Sequence, residues 1–181
     1  MKKLAIVVSL AAVLGSVSLA QAASTGTITF NGELTANTCD VVVDGQAADA
    51  TVVLPTVGTN QLTAATQTAG RTGFNMALNN CAGTLKTASA FFEAGPSVDL
   101  ITGHLNNMTG TATNVSLQLR DGSSASQAVI NVGNQDQTLN TTYVDVSTGS
   151  ATLPYAVEYY ANGATTAGTV VSSVVYSIQY K

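Results

Sequence analysis

The sequence predicts an all-β sandwich, and three observations support this prediction. Short stretches in which apolar and polar residues alternate recur along the chain, as half-buried strands require. Turn signals such as Asp44-Gly45, Gly95-Pro96 and Asp121-Gly122 separate these stretches, with the spacing of about 8–12 residues that is typical of sandwiches. No stretch of useful length repeats with the period of an amphipathic helix.

The predicted strands follow one another along the chain, and each ends near a turn signal. Residues 56–71 have only a weak pattern and are expected to form a long loop or short edge segments. The predicted strands are Thr27–Thr35, Val41–Val43, Thr51–Leu54, Phe74–Cys81, Ser89–Glu93, Val98–Leu105, Asn114–Arg120, Val129–Val132, Leu139–Val146, Leu153–Tyr160 and Thr169–Tyr180.

The composition narrows the range of functions. The 181 residues include 6 Lys and Arg against 10 Asp and Glu, for a formal charge of −4, and only 9% are charged. A nucleic-acid-binding surface needs a basic stripe, which this composition does not supply. The chain has one His and two Cys, so little material is available for catalysis, and two thiols with one distant His cannot complete a zinc shell. We therefore predict no enzyme activity, metal or cofactor, and we expect His104 on the solvated surface.

The first 22 residues have the layout of a secretory signal peptide. Lys2 and Lys3 precede the apolar run Leu4–Leu14, and Ala20-Gln21-Ala22 has the small-x-small pattern of a cleavage site. The alternative is a membrane anchor, but the run is shorter than the roughly 20 residues that span a bilayer. We expect cleavage after Ala22 and export of the mature chain.

Export determines how the two cysteines are interpreted. In an oxidising compartment, Cys39 and Cys81 favour a structural disulfide over a metal pair or a redox centre, because their spacing is not that of a C-x-x-C motif.

Both ends of the mature chain have patterns that an ordinary sandwich does not need. The last predicted strand has a nearly continuous apolar face, and such a terminal strand is a sticky edge unless another strand pairs with it. The leading segment also alternates well but precedes Cys39, so no disulfide holds it. Two interpretations remain open: strand donation between molecules, or two ordinary edge strands of a closed monomer. The face of the last strand consists of Val170, Ser172, Val174, Tyr176, Ile178 and Tyr180.

Several motifs occur together across the mature chain. The most specific are TITFNGEL at residues 27–34, upstream of Cys39, and GFNMALNNC at residues 73–81; ATNVSLQL at 112–119 and LPYAVEYYA at 153–161 support them. The chain ends with a penultimate Tyr180, and Gly168 is the fourteenth residue counted back from Lys181. With these motifs the sequence resembles the major fimbrial subunits (pilins) of the chaperone–usher class, close to the type 1 fimbrial major pilin family.

Two features depart from this family pattern. Ser172 is polar where the apolar face would favour an apolar residue, and only five residues, Ala23 to Thr27, precede Ile28 in the mature chain.

The resemblance implies an incomplete immunoglobulin-like sandwich that lacks its seventh strand and is completed by a donor strand from a neighbouring subunit. A periplasmic pilus chaperone would lend a strand to the open groove, and at the outer-membrane usher the next identical subunit would replace it. The chain would then be a structural subunit of an adhesive extracellular fimbria that polymerises head to tail and supports surface attachment and biofilm formation. Minor pilins or a tip adhesin would be further partners.

The resemblance also implies roles for individual residues. Residues 1–22 would be the cleaved signal peptide, 23–36 the N-terminal extension and 37–181 the pilin domain, with Cys39 and Cys81 forming the bridge of the family. The alternatives are a minor or adaptor pilin of the same system and a monomeric secreted β-sandwich that binds a ligand or sugar. The donor-strand residues would be Ile28, Phe30, Gly32 and Leu34. The acceptor groove and the chaperone-binding edge would include Gly168, Val170, Val174, Tyr176, Ile178 and Tyr180.

Overall fold

A computed structural model of the chain describes residues 26–32, 34, 36 and 38–181. The predicted signal peptide at 1–22 lies outside the described residues, and so does part of the predicted extension at 23–36. The chain divides into two units, residues 1–33 and 34–181.

The regular secondary structure of the described residues is almost entirely β-strand. Its two short helical segments are a 3₁₀ turn at Thr59–Gln61 and a single α-helical turn, α1, at Gln137–Asn140. Neither helical segment of the described residues is long and apolar enough to cross a membrane. The strands are β1 Thr38–Val43, β2 Thr68–Ala82, β3 Thr87–Phe92, β4 Val98–Asp99, β5 His104–Asn106, β6 Val115–Asp121, β7 Val129–Ile130, β8 Val144–Asp145, β9 Ala151–Ala161 and β10 Tyr176–Tyr180.

The strands form two antiparallel sheets. The larger has the order β1-β2-β9-β6-β5-β4, with β7 paired to β6, and the smaller has the order β10-β3-β8. Aromatic side chains join the sheets: the rings of Phe92 in β3 and Tyr155 in β9 meet edge to face with centroids 5.1 Å apart. The hydroxyl of Tyr155 also accepts a hydrogen bond of 2.9 Å from the N–H of Ala90. This two-layer arrangement confirms the predicted all-β sandwich class.

Two predicted strands are wrong. The prediction of one strand over Val98–Leu105 fails because the backbone turns back at Gly103, whose φ is +71°, so that β4 and β5 form a hairpin. The prediction of one strand over Leu139–Val146 fails because α1 occupies its first residues. The buried Gln137 holds this turn, since its side chain accepts a hydrogen bond from the N–H of Phe92 and donates one to the C=O of the same residue, both of 3.0 Å.

Three other predicted strands form no complete hydrogen-bonded ladder in the described residues. Of Thr27–Thr35, residues 27–32 form no strand; Thr51–Leu54 forms none, and of Thr169–Tyr180 only Tyr176–Tyr180 belongs to a ladder. The segments at 51–54 and 169–175 both border an apolar cleft.

Candidate strand-acceptor groove

A long apolar cleft, here called the groove, separates two extended segments of residues 34–181. Its first rim is residues 168–178, and its second rim is residues 48–57. Three cavities follow the first rim: one of about 550 Å³ beside residues 165–171, one of about 440 Å³ beside residues 172–176 and one of about 650 Å³ beside residues 174–178. The groove therefore follows the predicted acceptor strand along most of its length.

The floor of the groove is the hydrophobic core itself. The central cavity is lined by core side chains that come from both sheets and by inward-facing residues of both rims. An apolar side chain that entered this cavity would extend the existing core. The core residues of its lining include Phe74, Met76, Phe92, Leu105, Leu117, Leu119 and Val157.

The first rim is paired on one side only. The C=O of Thr169 accepts a hydrogen bond of 3.0 Å from Ala112, and the C=O of Val171 accepts one of 2.8 Å from Met108. Because successive residues of an extended chain direct their backbone groups to opposite sides, the residues between them direct theirs toward the groove. No described hydrogen bond involves the backbone of Val170, Ser172 or Val174.

The side chains of the first rim alternate in the same way. Val170 and Val174 are half-buried against the core, whereas Val171 and Val175 are exposed. The predicted acceptor face therefore points into the groove.

The second rim matches the first. Val52 and Leu54 pack against the core, while Val53 between them is 79% exposed. At its start, the backbone of Thr51 is held by the side chain of Gln46 at 3.1 and 3.2 Å, but no described hydrogen bond involves the backbone of residues 52–57. Two unpaired backbone edges thus face each other over apolar side chains, as they would where a strand is missing.

Two hydrogen bonds connect the sides of the groove. At one end the hydroxyl of Tyr176 donates a hydrogen bond of 2.8 Å to the C=O of Ala48. At the other end the N–H of Thr165 donates one of 3.1 Å to the C=O of Leu62. These contacts bound the central part of the groove, and the cavity beside residues 174–178 continues past the first of them.

Gly168 lies where the first rim passes close to the loop at residues 107–112. A Cβ at Gly168 would collide with the backbone N of Ala112 and approach the carbonyl carbon of Thr111 to 2.7 Å. The missing side chain is therefore what lets the rim pair with this loop.

The C-terminal end of the first rim is held more completely. Within β10, Ile178 pairs with Ala90 and Tyr180 with Ala88 of β3. Burial raises the pKa of Tyr176 and of Tyr180 above the usual value for a phenol, and the charge of Asp49 adds to the effect at Tyr176. Both hydroxyls therefore stay protonated as hydrogen-bond donors in neutral solution.

The predicted donor residues expose their side chains in this chain. Ile28 is 77% exposed, Phe30 is 89% exposed and Leu34 is fully exposed. At Gly32, an added Cβ would meet no atom within 4 Å. Three large apolar side chains in succession are unusual on a surface that contacts only water.

The predicted disulfide is present. Cys39 in β1 is bonded to Cys81 near the end of β2, across 42 residues of sequence. Cys39 also lines the cavity beside residues 174–178. The bond therefore ties the first strand of the sheet to its neighbour at one end of the groove.

The expectation for His104 is wrong. Only 7% of the residue is exposed, its ring lies 4.2 Å from the ring of Tyr160 and its Nε2 is 2.9 Å from Nε2 of Gln118. Burial lowers the pKa of His104, although the charge of Asp99 acts in the opposite direction. The expectation assumed a turn near Asn106 and Asn107, whereas His104 lies in the hairpin of β4 and β5, where it faces a neighbouring strand.

The sequence also did not reveal the second rim as a part of the site. The apolar run Val52-Val53-Leu54 does not show which of its side chains face inward, and a strand prediction does not show which strand lies opposite. Among the described residues, no group of three or more His, Cys, Asp or Glu side chains is arranged to hold a metal ion.

Comparisons with known proteins agree with this architecture. A sequence model of the family described as "Type-1 fimbrial protein, A" matches residues 54–181. The chain is 43% identical over 171 residues to the major fimbrial subunit SMF-1 of Stenotrophomonas maltophilia, a match that covers 92% of this chain and 99% of that protein. It is 32% identical over 189 residues to the type-1 fimbrial protein, A chain, of Escherichia coli K12, with coverage of 99% and 98%.

A solved structure shows the same fold. The crystal structure of the P pilus rod subunit PapA superposes on this chain with a TM-score of 0.60 and 14% sequence identity. The superposition covers 79% of this chain and 99% of PapA.

Proposed function

Since this chain belongs to the type-1 fimbrial protein family, we propose that it is a structural subunit of a cell-surface fimbria whose copies join head to tail by strand donation. The observation that carries the proposal is the groove, in which two unpaired backbone edges border a cavity lined by core side chains. In the proposed assembly, Ile28, Phe30, Gly32 and Leu34 of one copy fill the groove of the next. A closed monomer that binds a small ligand would leave both backbone edges unpaired.

The dimensions of donor and groove agree. Residues 168–176 of the first rim span about 26 Å at roughly 3.3 Å per residue, and residues 27–34 span about 23 Å in the same conformation. Gly168, Val170, Val174 and the residues of β10 would form the acceptor edge. The donor strand is therefore long enough to cover the apolar part of the groove.

The energetics favour a long-lived contact. If Ile28, Phe30 and Leu34 are each buried for about 1.5–3 kcal/mol, the apolar contribution reaches about 5–9 kcal/mol. Backbone hydrogen bonds to both rims add to this contribution, as in other cases of strand addition. Because the contact joins different surfaces of identical copies and does not close on itself, it produces an open filament.

The proposal includes the partners that such an incomplete fold requires. A periplasmic chaperone covers the groove before assembly, an outer-membrane usher exchanges the chaperone strand for the next subunit, and minor pilins or a tip adhesin complete the fibre. The role is structural rather than enzymatic, and the mature chain passes through the periplasm to the cell surface.

Deletion of residues 23–36 from the chain, expressed with its signal peptide and secretion partners, tests the function. We expect a subunit that co-purifies with the chaperone but forms no SDS-resistant, heat-dissociable homopolymer. A matched pair of point variants refines the test: Phe30→Ala should weaken the multimers strongly, and Thr29→Ala, on the other face of the donor, should not. Normal fibres from the deleted chain would contradict the proposal.

A further inference from the structure

Ser172 is the polar residue in the otherwise apolar groove-facing set of the first rim. It lies between Val170 and Val174 and lines the central cavity. Its Oγ atom is buried and has no hydrogen-bond partner in the described part of the chain. A buried hydroxyl without a partner lowers stability, so this atom needs a partner when the groove is filled.

The donor segment has one position that differs from the others in a complementary way. Ile28, Phe30 and Leu34 would each place a large apolar side chain over the residue opposite, whereas Gly32 places none. An apolar side chain above Ser172 would seal its hydroxyl away from every partner. Opposite Gly32, the serine side chain has room to change rotamer and to bond to the donor backbone or to a water molecule.

We propose that Ser172 sets the register of the donated strand by requiring Gly32 of the incoming copy opposite it. This inference rests on the proposed function and adds a residue that determines which alignment of donor and groove is stable. A shift by two residues, the smallest that keeps the same side chains inward, would place Phe30 or Leu34 over the buried hydroxyl. Ser172 therefore makes a shifted alignment of the donor strand less stable than the proposed one.

The register also assigns the large side chains to cavities. Every strand pair in the described residues is antiparallel, and antiparallel pairs are the commoner kind, so we take the donor as antiparallel to the first rim. Phe30 then lies beside Val174 at the central cavity of about 440 Å³. Leu34 lies beside Val170 at the cavity of about 550 Å³ that Leu62, Val115 and Tyr159 also line.

Cysteine cross-linking of assembled full-length chains measures the register directly. In the proposed alignment, Asn31 of the donor and Ser173 of the acceptor are directly opposite on the outer face, at the separation of cross-strand neighbours. We expect fibres with Asn31→Cys and Ser173→Cys to give a covalent ladder that survives boiling without reductant. Fibres with Asn31→Cys and Val175→Cys, a pair matched by a two-residue shift, should not. A ladder from the second pair, or from neither pair in fibres of normal length, would overturn the inference.

A second measurement tests the hydroxyl itself. We expect Gly32→Ala to increase the rate at which heat dissociates the multimers, and this increase should be about tenfold larger in the chain with Ser172 than in a Ser172→Ala chain. Only the chain with Ser172 has a hydroxyl that the added methyl group would cut off from its partners. Phe30→Ala, which does not lie over residue 172, should have the same effect in both chains. An equal effect of Gly32→Ala in both chains would overturn the role of Ser172 while leaving strand donation intact. If the unaltered chain forms no multimers at all, the proposed function itself fails.

Discussion

The hydroxyl of Tyr176 donates a hydrogen bond of 2.8 Å to the C=O of Ala48, and these two residues lie on opposite rims of the groove. The contact connects residues that are 128 positions apart in the sequence. It fixes the separation of the rims at the end where the first rim enters β10. The side chain of Tyr176 therefore sets the width of the groove at the end where an incoming strand would meet β10.

Tyr176→Phe tests this contact, because it keeps the ring and removes the donor. We expect the assembled multimers to lose about 0.5–1.5 kcal/mol of stability, the usual contribution of one hydrogen bond, measured as a lower temperature of dissociation in SDS. Tyr143→Phe is the matched control, since the Tyr143 hydroxyl donates to Gln179 at 3.3 Å and does not join the two rims. An equal shift in both variants would show that the bond across the groove has no special effect.

The fold could be predicted from the sequence in regions where a single strand shows the alternation of apolar and polar residues. Phe74, Met76 and Leu78 alternate because one face of β2 lies on the core, and all three are buried. The same reasoning failed at Leu139–Val146, where the buried side chain of Gln137 satisfies the backbone of Phe92. A long-range hydrogen bond of this kind leaves no periodic signal.

The site could be predicted in part. The alternation from Val170 to Tyr180 indicated one rim, and the resemblance to fimbrial subunits, which the comparisons confirm, indicated that a groove lies beside it. The second rim, which includes Val52 and Leu54, was identified only from the structure. Which segment lies opposite the first rim depends on the topology of the fold and not on the local sequence pattern. The assignment of individual donor and acceptor residues stays a prediction.

Gly168→Ala tests the close approach at the first cavity. The added Cβ would collide with the backbone of Ala112 and Thr111, and forced overpacking of this kind costs about 1–3 kcal/mol. We expect less chaperone-bound subunit in the periplasm and multimers that dissociate at a lower temperature. Gly95→Ala is the matched control, because a Cβ there meets no atom within 4 Å. If both variants behave like the unaltered chain, the loop at 107–112 does not constrain the rim.

Ile178→Ser combined with Tyr180→Ser tests the role of β10 before assembly. Both side chains pack against the core, so their loss removes apolar contacts that hold the terminal strand on β3. We expect lower periplasmic levels of the subunit and less co-purified chaperone, measured by quantitative immunoblotting. Val175→Ser changes a side chain on the exposed face of the same rim, 71% exposed, and should have little effect. Unchanged abundance and unchanged chaperone binding in the double variant would contradict the assignment.

The buried His104 makes acid stability a further test of the fold. Gln118 Oε1 accepts a hydrogen bond of 3.2 Å from Arg120, so the amide nitrogen of Gln118 faces His104 Nε2 at 2.9 Å and donates to it. The imidazole can accept this bond only while it is neutral. The charge of Asp99 favours the protonated form of the ring. The effect of burial is larger, so the pKa of His104 is lowered.

Because the pKa of His104 is lower in the folded chain than its unfolded value of about 6.5, the unfolded chain binds more protons below that pH. The contribution of neutral His104 is therefore complete above about pH 6.5 and is lost as the pH falls, with a slope of at most about 1.4 kcal/mol per pH unit. We expect the thermal stability of the chaperone-bound subunit or the fibre to decline in this range, and His104→Gln to reduce the decline. Gln46→Ala, at an exposed site far from the ring in the sequence, controls for the effect of substitution. An identical pH profile in the His104→Gln variant would mean that other groups cause the acid sensitivity, because a glutamine at this position cannot titrate.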